Sequence, residues 1–374
     1  MFNILLLNKI SKNGLDRLDK ELFTCGDAIE NPDAILVRSA SMHEMELSDN
    51  TVAIARAGAG VNNIPIPACS DKGVVVFNTP GANANAVKEL VICSLFLASR
   101  KVAASMDWCK TLKGEGENVG KLVEKGKSNF AGPEILGKTL GIVGLGAIGA
   151  MVAESAKALG MDVIAYDPFA AGKTDIKLVE LDELFAESDY ITLHAPLNDG
   201  TRGMINAESI AKMKDGVRIL NFARGELVAS KDIVDALASG KAGAYVTDFP
   251  TDEQLGAEGV TAIPHLGAST PESEENCAMM AADEVAAYLL RGEIKNSVNL
   301  PNTLLASEFA TRTCFIHKEN ADEFAAKAEA AAKAAGAEVT SIFTANKKDM
   351  GYTVIDTDKA FDANIDGAIR VRVI

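Results

Sequence analysis

Aromatic side chains are scarce in this chain, at 5% of 374 residues with a single Trp, and there are only four histidines. No apolar stretch approaches the roughly 20 residues of a membrane span. The short N-terminal apolar run is interrupted by Asn3 and Asn8-Lys9, so it reads as a strand and not as a signal peptide. The six cysteines (Cys25, Cys69, Cys93, Cys109, Cys277 and Cys314) include no CxxC pair and read as reduced, mostly buried thiols, which points to a cytoplasmic protein. His43, His194, His265 and His317 share no metal-ligand spacing with one another or with cysteine, so no metal site is expected. Basic residues are outnumbered 37 to 52, a net charge of −15 that argues against nucleic acid or an anionic membrane surface as partner. An anionic small molecule would need basic residues clustered locally against that field.

The chain does have length and rhythm. At roughly 150 residues per domain it should hold two or three domains. Its hydrophobic content of 48% and charged content of 24% are ordinary for a globular protein. Apolar runs at 3–7, 34–37, 52–55 and 74–76 read as buried parallel strands, and 84–98 as a buried helix. Residues 112–127 turn polar and glycine-bearing and read as a loop or hinge. Further strands are expected at 190–193, 217–221, 244–247 and 260–263, most of them separated by helical patterns, the rhythm of a doubly wound sheet. A long helix is expected over 272–290. The last seventy or so residues read βαβββ: strands at 312–316, 338–345, 351–356 and 368–374, a helix at 322–335, and no second helix between Asp358 and Gly367.

The most informative motif is Gly144-Leu145-Gly146-Ala147-Ile148-Gly149, between the apolar run 139–143 and a helical segment, with Asp167 closing the next apolar run. Strand, tight turn, helix, strand and acid form the layout of a dinucleotide site. Gly144 permits the turn, Gly146 lets the backbone approach a pyrophosphate, and Gly149 lets the helix pack on the strand. The helix start, including Ala147 and Ile148, supplies free N–H groups. Asp167 can accept from a ribose diol and would repel a 2′-phosphate; with only Lys173 as a nearby cation, NAD is favoured over NADP.

Three residues after strand-like runs carry candidate chemistry: Arg224 in Asn221-Phe222-Ala223-Arg224, Glu253 in an acidic loop, and His265 in Pro264-His265-Leu266-Gly267-Ala268. A guanidinium suits a carboxylate. An imidazole that ordinarily titrates near pH 6.5 can give and take a proton. In this order after the glycine motif they resemble the D-isomer-specific 2-hydroxyacid dehydrogenase family. The match extends through Val37-Arg38-Ser39-Ala40, Arg56-Ala57-Gly58-Ala59-Gly60-Val61, Asn78-Thr79-Pro80-Gly81, His194-Ala195-Pro196-Leu197 and Val246-Thr247-Asp248-Phe249. Arg38-Ser39, and a C-terminal region preceded by Val298-Asn299-Leu300-Pro301-Asn302, are most similar to its D-3-phosphoglycerate dehydrogenase branch.

The resemblance implies an α/β fold of three parts: a flavodoxin-like, discontinuous substrate domain (1–97 and 283–303), a Rossmann-type doubly wound NAD domain (98–282), and an α+β ACT-like module (304–374). The active site would lie in the cleft between the first two. The implied reaction is NAD-dependent oxidation of 3-phospho-D-glycerate to 3-phosphohydroxypyruvate, the first step of phosphorylated serine synthesis. In it, His265 is the acid/base, Glu253 orients it, and Arg224 holds the substrate carboxylate. Glu253 also argues against the formate dehydrogenases of the superfamily, which carry glutamine there. The resemblance places the cofactor against Ala195, Pro196, Phe222, Ala223, Asp248, Gly267 and Ala268, besides the glycine motif, Asp167, Arg224 and His265. It places the phosphorylated end of the substrate at Arg38, Ser39 and Arg56, its carboxylate near the backbone of Ala57 and Gly58, and Lys127 near a neighbouring subunit's site. A homodimer or homotetramer is implied. Serine is implied as an effector, although the pattern His317-Lys318-Glu319-Asn320 is stretched and lacks a following Pro-Gly. Two alternatives stay open: a glycerate or hydroxypyruvate reductase, and a dinucleotide-sensing protein like the corepressors that resemble these enzymes.

Overall fold

Short runs of Ile, Leu, Val and Ala become parallel strands buried on both faces, where a polar side chain would have no water to meet. The computed structural model describes all residues except 173, so Lys173 lies outside the described residues. It separates into two compact units, Met1–Asn83 with Thr270–Ile374, and Ala84–Ser269.

In the first unit, strands β1 (Phe2–Leu7), β2 (Phe23–Gly26), β3 (Ala34–Val37), β4 (Ala53–Arg56) and β5 (Val75–Asn78) form a parallel sheet in the order β2-β1-β3-β4-β5, the flavodoxin-like order. The sequence did not announce β2: an edge strand of four residues ending in glycine has no apolar run to show. The helix Pro271–Arg291 covers this sheet with Cys277, Ala278, Ala281, Ala282, Val285, Tyr288 and Leu289. Its ends are chemically marked. The Thr270 side chain accepts from Ser273 N–H (3.1 Å), Pro271 opens the first turn, and Gly292 at φ +67° closes the last.

The second unit holds a seven-stranded parallel sheet. Its strands are β6 (Thr139–Val143), β7 (Asp162–Tyr166), β8 (Lys177–Leu178), β9 (Tyr190–Leu193), β10 (Val217–Asn221), β11 (Ala242–Thr247) and β12 (Val260–Ala262), ordered β12-β11-β10-β9-β6-β7-β8. The direction of winding reverses between β6 and β9. The helix Ala84–Arg100 packs on this sheet through Val87, Val91, Leu95 and Ala98, and its Ser99 hydroxyl meets the Tyr190 hydroxyl at 2.7 Å. The loop or hinge expected at 112–127 is corrected by the structure. After turns at Gly114 and Gly116, both with positive φ, a helix runs over Val119–Gly126 and a 3₁₀ turn over Lys127–Phe130. Polar composition hid the single apolar face made by Val119, Leu122 and Val123 at helical spacing.

The C-terminal segment of the first unit follows the expected βαβββ order. Strands β13 (Thr311–His317), β14 (Val339–Lys347), β15 (Met350–Thr357) and β16 (Ala368–Val373) form an antiparallel sheet ordered β14-β15-β13-β16, consistent with an ACT-like module. The helix Ala321–Ala334 covers one face through Phe324 and Ala328 against Phe315 and Ile355. The other face is not solvent-exposed. Cys314, Ile316, Met350, Tyr352 and Val354 share one core with Phe77, Tyr288 and Leu289 of the parallel-sheet part. Covered on both sides, β15 buries all eight of its residues.

Candidate active site

All seven strands of the larger sheet are parallel, so their carboxyl ends emerge on one edge, and a ligand site in such sheets lies where the winding reverses. The glycine turn sits at that point. Gly144 has φ +94° and donates its N–H to Tyr166 O (2.9 Å); a Cβ there would stand 2.8 Å from the His194 carbonyl. The helix Ala147–Ala158 starts at once, with Ala147, Ile148 and Gly149 in its first turn. A Cβ on Gly149 would collide with Gly144 O, which is the close helix–strand approach expected of the third glycine. Around Gly146, in contrast, a Cβ would meet nothing within 4 Å, so the backbone faces open space at the helix N-terminus.

Asp167 follows β7 beside this turn. Its Oδ2 accepts from Leu145 N–H (2.7 Å) and its Oδ1 from Phe169 N–H (2.8 Å), so the carboxylate also braces the glycine loop. Ala195 and Pro196 follow β9. Just before them, burial holds the His194 imidazole down to about 4, hence neutral, with Nε2 3.0 Å from the Thr192 hydroxyl.

Beyond β10, Asn221 is fully buried and organises the loop. Its Nδ2 donates to Arg224 O (2.8 Å) and its Oδ1 accepts from Ala223 N–H (3.2 Å), which leaves Arg224 exposed just past Phe222 and Ala223. Sequence reading quoted Asn221 without giving it a task. Its chemistry is local, but its burial is a product of the sheet. Arg224 donates Nη1 to Ala223 O (2.6 Å) and makes no ion pair among the described residues.

Asp248, at the end of β11, is 2% exposed. Its Oδ2 accepts from Gly267 N–H (3.3 Å), while Oδ1 has no hydrogen-bond partner among the described residues. Burial pushes this carboxyl above the usual carboxylate range, against the pull of His265, the Gly267 N–H and Arg224. The imidazole and the guanidinium are therefore close enough for the same buried acid to feel both. Phe249, another residue that sequence reading left without a role, packs its ring 4.4 Å from that of His265. Glu253 is not brought to the imidazole. It is exposed on the following loop, its charge reaches Lys231, and no hydrogen bond joins it to His265. The loop itself is anchored by its neighbour Gln254, which donates to the Ser230 hydroxyl (3.1 Å).

The substrate residues of the first unit gather at the carboxyl ends of β3 and β4, where Val37 and Arg56 are register partners. Arg56 spends its guanidinium on backbone, donating Nε to Arg38 O (2.9 Å) and Nη1 to Gly60 O, and Ala57 N–H donates to Val37 O (2.8 Å). Gly58 continues the loop with its N–H on Arg56 O (2.8 Å). Arg38 pairs with Glu274. Lys127 pairs with Glu124 on its own helical arm. In the C-terminal module, His317 is fully buried, stacked 4.0 Å from Phe324, with Nε2 2.9 Å from the Thr353 hydroxyl. Asn320 caps the helix Ala321–Ala334 by accepting from Asp322 and Glu323 N–H. Both residues of the serine-effector pattern thus have internal roles.

The glycine turn, the open helix N-terminus, the brace at Asp167 and the orphaned buried oxygen of Asp248 fit a dinucleotide. Comparison with known proteins agrees. Residues 93–267 match the model of the D-isomer-specific 2-hydroxyacid dehydrogenase NAD-binding domain. The chain is 41% identical over 271 residues to a hydroxypyruvate reductase of Thermotoga maritima, covering 69% of this chain and 85% of the relative. It is 37% identical over 288 residues to a D-3-phosphoglycerate dehydrogenase of Synechocystis, covering 74% of this chain but 50% of that one. The chain spans about half the length of several such phosphoglycerate dehydrogenases. Among solved structures, the NAD+-bound 3-phosphoglycerate dehydrogenase of Entamoeba histolytica superposes with a TM-score of 0.62 at 29% identity, over 80% of this chain and 98% of that one. The chain belongs to the D-isomer-specific 2-hydroxyacid dehydrogenase family and carries that family's NAD-binding domain.

Proposed function

We propose that this chain oxidises 3-phospho-D-glycerate to 3-phosphohydroxypyruvate with NAD. The observation that carries the reading is the buried Asp248, with one oxygen on Gly267 N–H and the other without a partner among the described residues, next to the Phe249–His265 ring pair and on the same sheet edge as Arg224 and the glycine turn. NAD, when bound, takes up the hydride equivalent from C2. Gly146, Ala147, Ile148 and Gly149 would hold its pyrophosphate by backbone donors over the turn that Gly144 makes, Asp167 would hold its ribose, and Ala195 and Pro196 would line its adenine side. Phe222, Ala223, Asp248, Gly267 and Ala268 line the nicotinamide side. Neutral His265 takes the proton of the C2 hydroxyl, and as imidazolium returns it in the reverse direction. Arg224 holds the carboxylate and stabilises negative charge on the C2 oxygen. Glu253, on the loop that follows Asp248, is the acid assigned to orient the imidazole, although no hydrogen bond joins the two in this structure. Arg38 and Ser39 take the phosphate, with Arg56 fixing the loop that presents them beside Ala57 and Gly58. The domain division expected at 1–97 with 283–303, 98–282 and 304–374 moves to the starts of the helices Ala84–Arg100 and Pro271–Arg291, each of which packs whole on one sheet, and the chain acts in a homo-oligomer to which Lys127 contributes across subunits.

A second reading, a glycerate or hydroxypyruvate reductase, has its own support. Arg38 is neutralised by Glu274, Arg56 is spent on carbonyls, and the Thermotoga relative bears the reductase name. Steady-state turnover on 2-oxo acids with and without a terminal phosphate decides between them. The proposal requires kcat/KM for phosphohydroxypyruvate to exceed those for hydroxypyruvate and glyoxylate; the opposite ranking selects the reductase.

A further inference from the structure

We infer that Glu274 sets how strongly this chain favours a terminally phosphorylated 2-hydroxy acid, by occupying the Arg38 guanidinium that the phosphate must take over. The inference rests on the assignment of Arg38 to the phosphate made above.

The loop at 38–40 is built to present a single cationic group. Its three successive backbone N–H groups, which together could cradle an anion, converge instead on the side-chain oxygen of Asn8, at 3.4 Å from Arg38, 3.0 Å from Ser39 and 2.8 Å from Ala40. Asn8 reaches them from a left-handed conformation, φ +77°. The carbonyls of the same loop are used as well. Asn63 Nδ2 donates to Ala40 O (2.8 Å), and Arg56 Nε donates to Arg38 O (2.9 Å). A phosphate arriving at this loop therefore finds no backbone donors and an Arg56 already committed. What is left to it is the Arg38 guanidinium, with the exposed Ser39 hydroxyl.

That guanidinium is held. Arg38 Nη2 lies 2.6 Å from Glu274 Oε1, and both side chains are about two-fifths exposed, at 39% and 43%. Glu274 stands in the first turn of the helix Pro271–Arg291, where the helix dipole favours a carboxylate. A half-exposed pair of this kind is weak and exchangeable. A phosphate dianion competes for the guanidinium with more charge and a bidentate fit. A hydroxyl or a hydrogen in the same place does not compete at all, so an unphosphorylated acid leaves the pair intact. The phosphorylated acid alone bears the displacement of Glu274. The carboxylate thus tempers phosphate preference, and an uncharged side chain of the same shape sharpens it.

The test uses the full chain, Glu274→Gln, Arg38→Ala and the double variant, with phosphohydroxypyruvate and hydroxypyruvate as substrates and inorganic phosphate as an inhibitor competing against hydroxypyruvate. In Glu274→Gln, KM for phosphohydroxypyruvate and the inhibition constant of inorganic phosphate fall together by about fivefold, the scale of a half-exposed ion pair. KM for hydroxypyruvate stays in place, and so does the ratio of the two kcat values. Arg38→Ala raises both phosphate-dependent constants, and adding Glu274→Gln to it changes nothing further. An inhibition constant for phosphate that ignores Glu274→Gln overturns the inference, as does an equal shift in KM for both substrates. If the phosphorylated acid is a poor substrate while phosphate inhibition still answers to Arg38 and Glu274, the substrate reading fails and the inference stands. If wild-type protein prefers the phosphorylated acid and Glu274→Gln alters neither that preference nor phosphate inhibition, the inference fails and the reading stands.

Discussion

The carboxyl edge of the seven-stranded sheet and the C-terminal module treat polar groups in opposite ways. At the edge, Arg224 and His265 make no ion pair among the described residues, Asp248 keeps an oxygen without a partner, and the backbone at Gly146 faces open space. In the module, the buried guanidinium groups and the Tyr352 hydroxyl are spent on structure, although Thr313 Oγ1 and His317 Nδ1 have no hydrogen-bond partner among the described residues. Arg312 is fully buried, donating Nε and Nη2 to the two oxygens of Asp356 (2.7 and 2.8 Å) and further to Arg291 O and Ala306 O. Tyr352 donates to Gly292 O (2.8 Å), and Arg372 donates to Tyr288 O and Leu289 O while lying 4.5 Å over the Tyr288 ring. A ligand can satisfy the groups left open at the edge, whereas the paired groups hold the module in place. The module is a brace on the parallel-sheet part of its own unit.

The contrast predicts that substitutions divide cleanly between stability and turnover. The largest effect is expected from Asp356→Ala, which strands a buried guanidinium and should cost about 3–5 kcal/mol of unfolding free energy. Denaturant unfolding checks it; a loss within error of zero would mean the module contributes no shared core. Next comes Arg224→Lys. Replacing a planar fork by a point charge should lower kcat/KM by about 10²–10³, with the unfolding midpoint unmoved because no ion pair is broken. A parallel fall in stability would make Arg224 structural. Tyr352→Phe removes one buried hydrogen bond to Gly292 O and should cost about 1 kcal/mol, leaving kinetic constants alone.

A last prediction is a pH dependence. Burial pushes the Glu284 carboxyl up from 4.5 to about 8, against the pull of Asn296 and Lys295 and with some help from Asp283. Between those values the folded protein keeps a proton that the unfolded chain has released. This group's contribution is therefore most favourable below about pH 4.5 and is lost as pH rises through about 8. Melting temperatures taken from pH 5 to 9 should fall less steeply in Glu284→Gln than in wild type. Identical slopes would show that Glu284 titrates normally.

What the sequence disclosed was local chemistry. The glycine turn could be read because its three glycines, flanking strands and acid lie within one βαβ unit. The strands of the C-terminal module could be read because each is rich in β-branched and apolar residues and lies between turns. What stayed hidden depends on partners distant in sequence. Asn8 gave no sign that it would fill the loop at 38–40, nor Arg38 that it would meet Glu274 on the distant helix Pro271–Arg291. Arg56 read as an anion contact because its residue type suits one; the carbonyl of Arg38 claims it only once β3 and β4 stand side by side. Likewise, the acid whose charge reaches His265 in the folded protein is Asp248, while the exposed Glu253 makes no hydrogen bond to it.

The most direct test of the dehydrogenase site is His265→Gln, assayed for NADH binding by fluorescence titration and for turnover of phosphohydroxypyruvate and hydroxypyruvate on the same preparation. Loss of the proton-transfer group should lower kcat by about 10²–10⁴ on whichever acid the wild type prefers, with NADH affinity and melting temperature retained. A variant that turns over as fast as wild type would contradict the assignment of His265 and, with it, of the edge on which it stands.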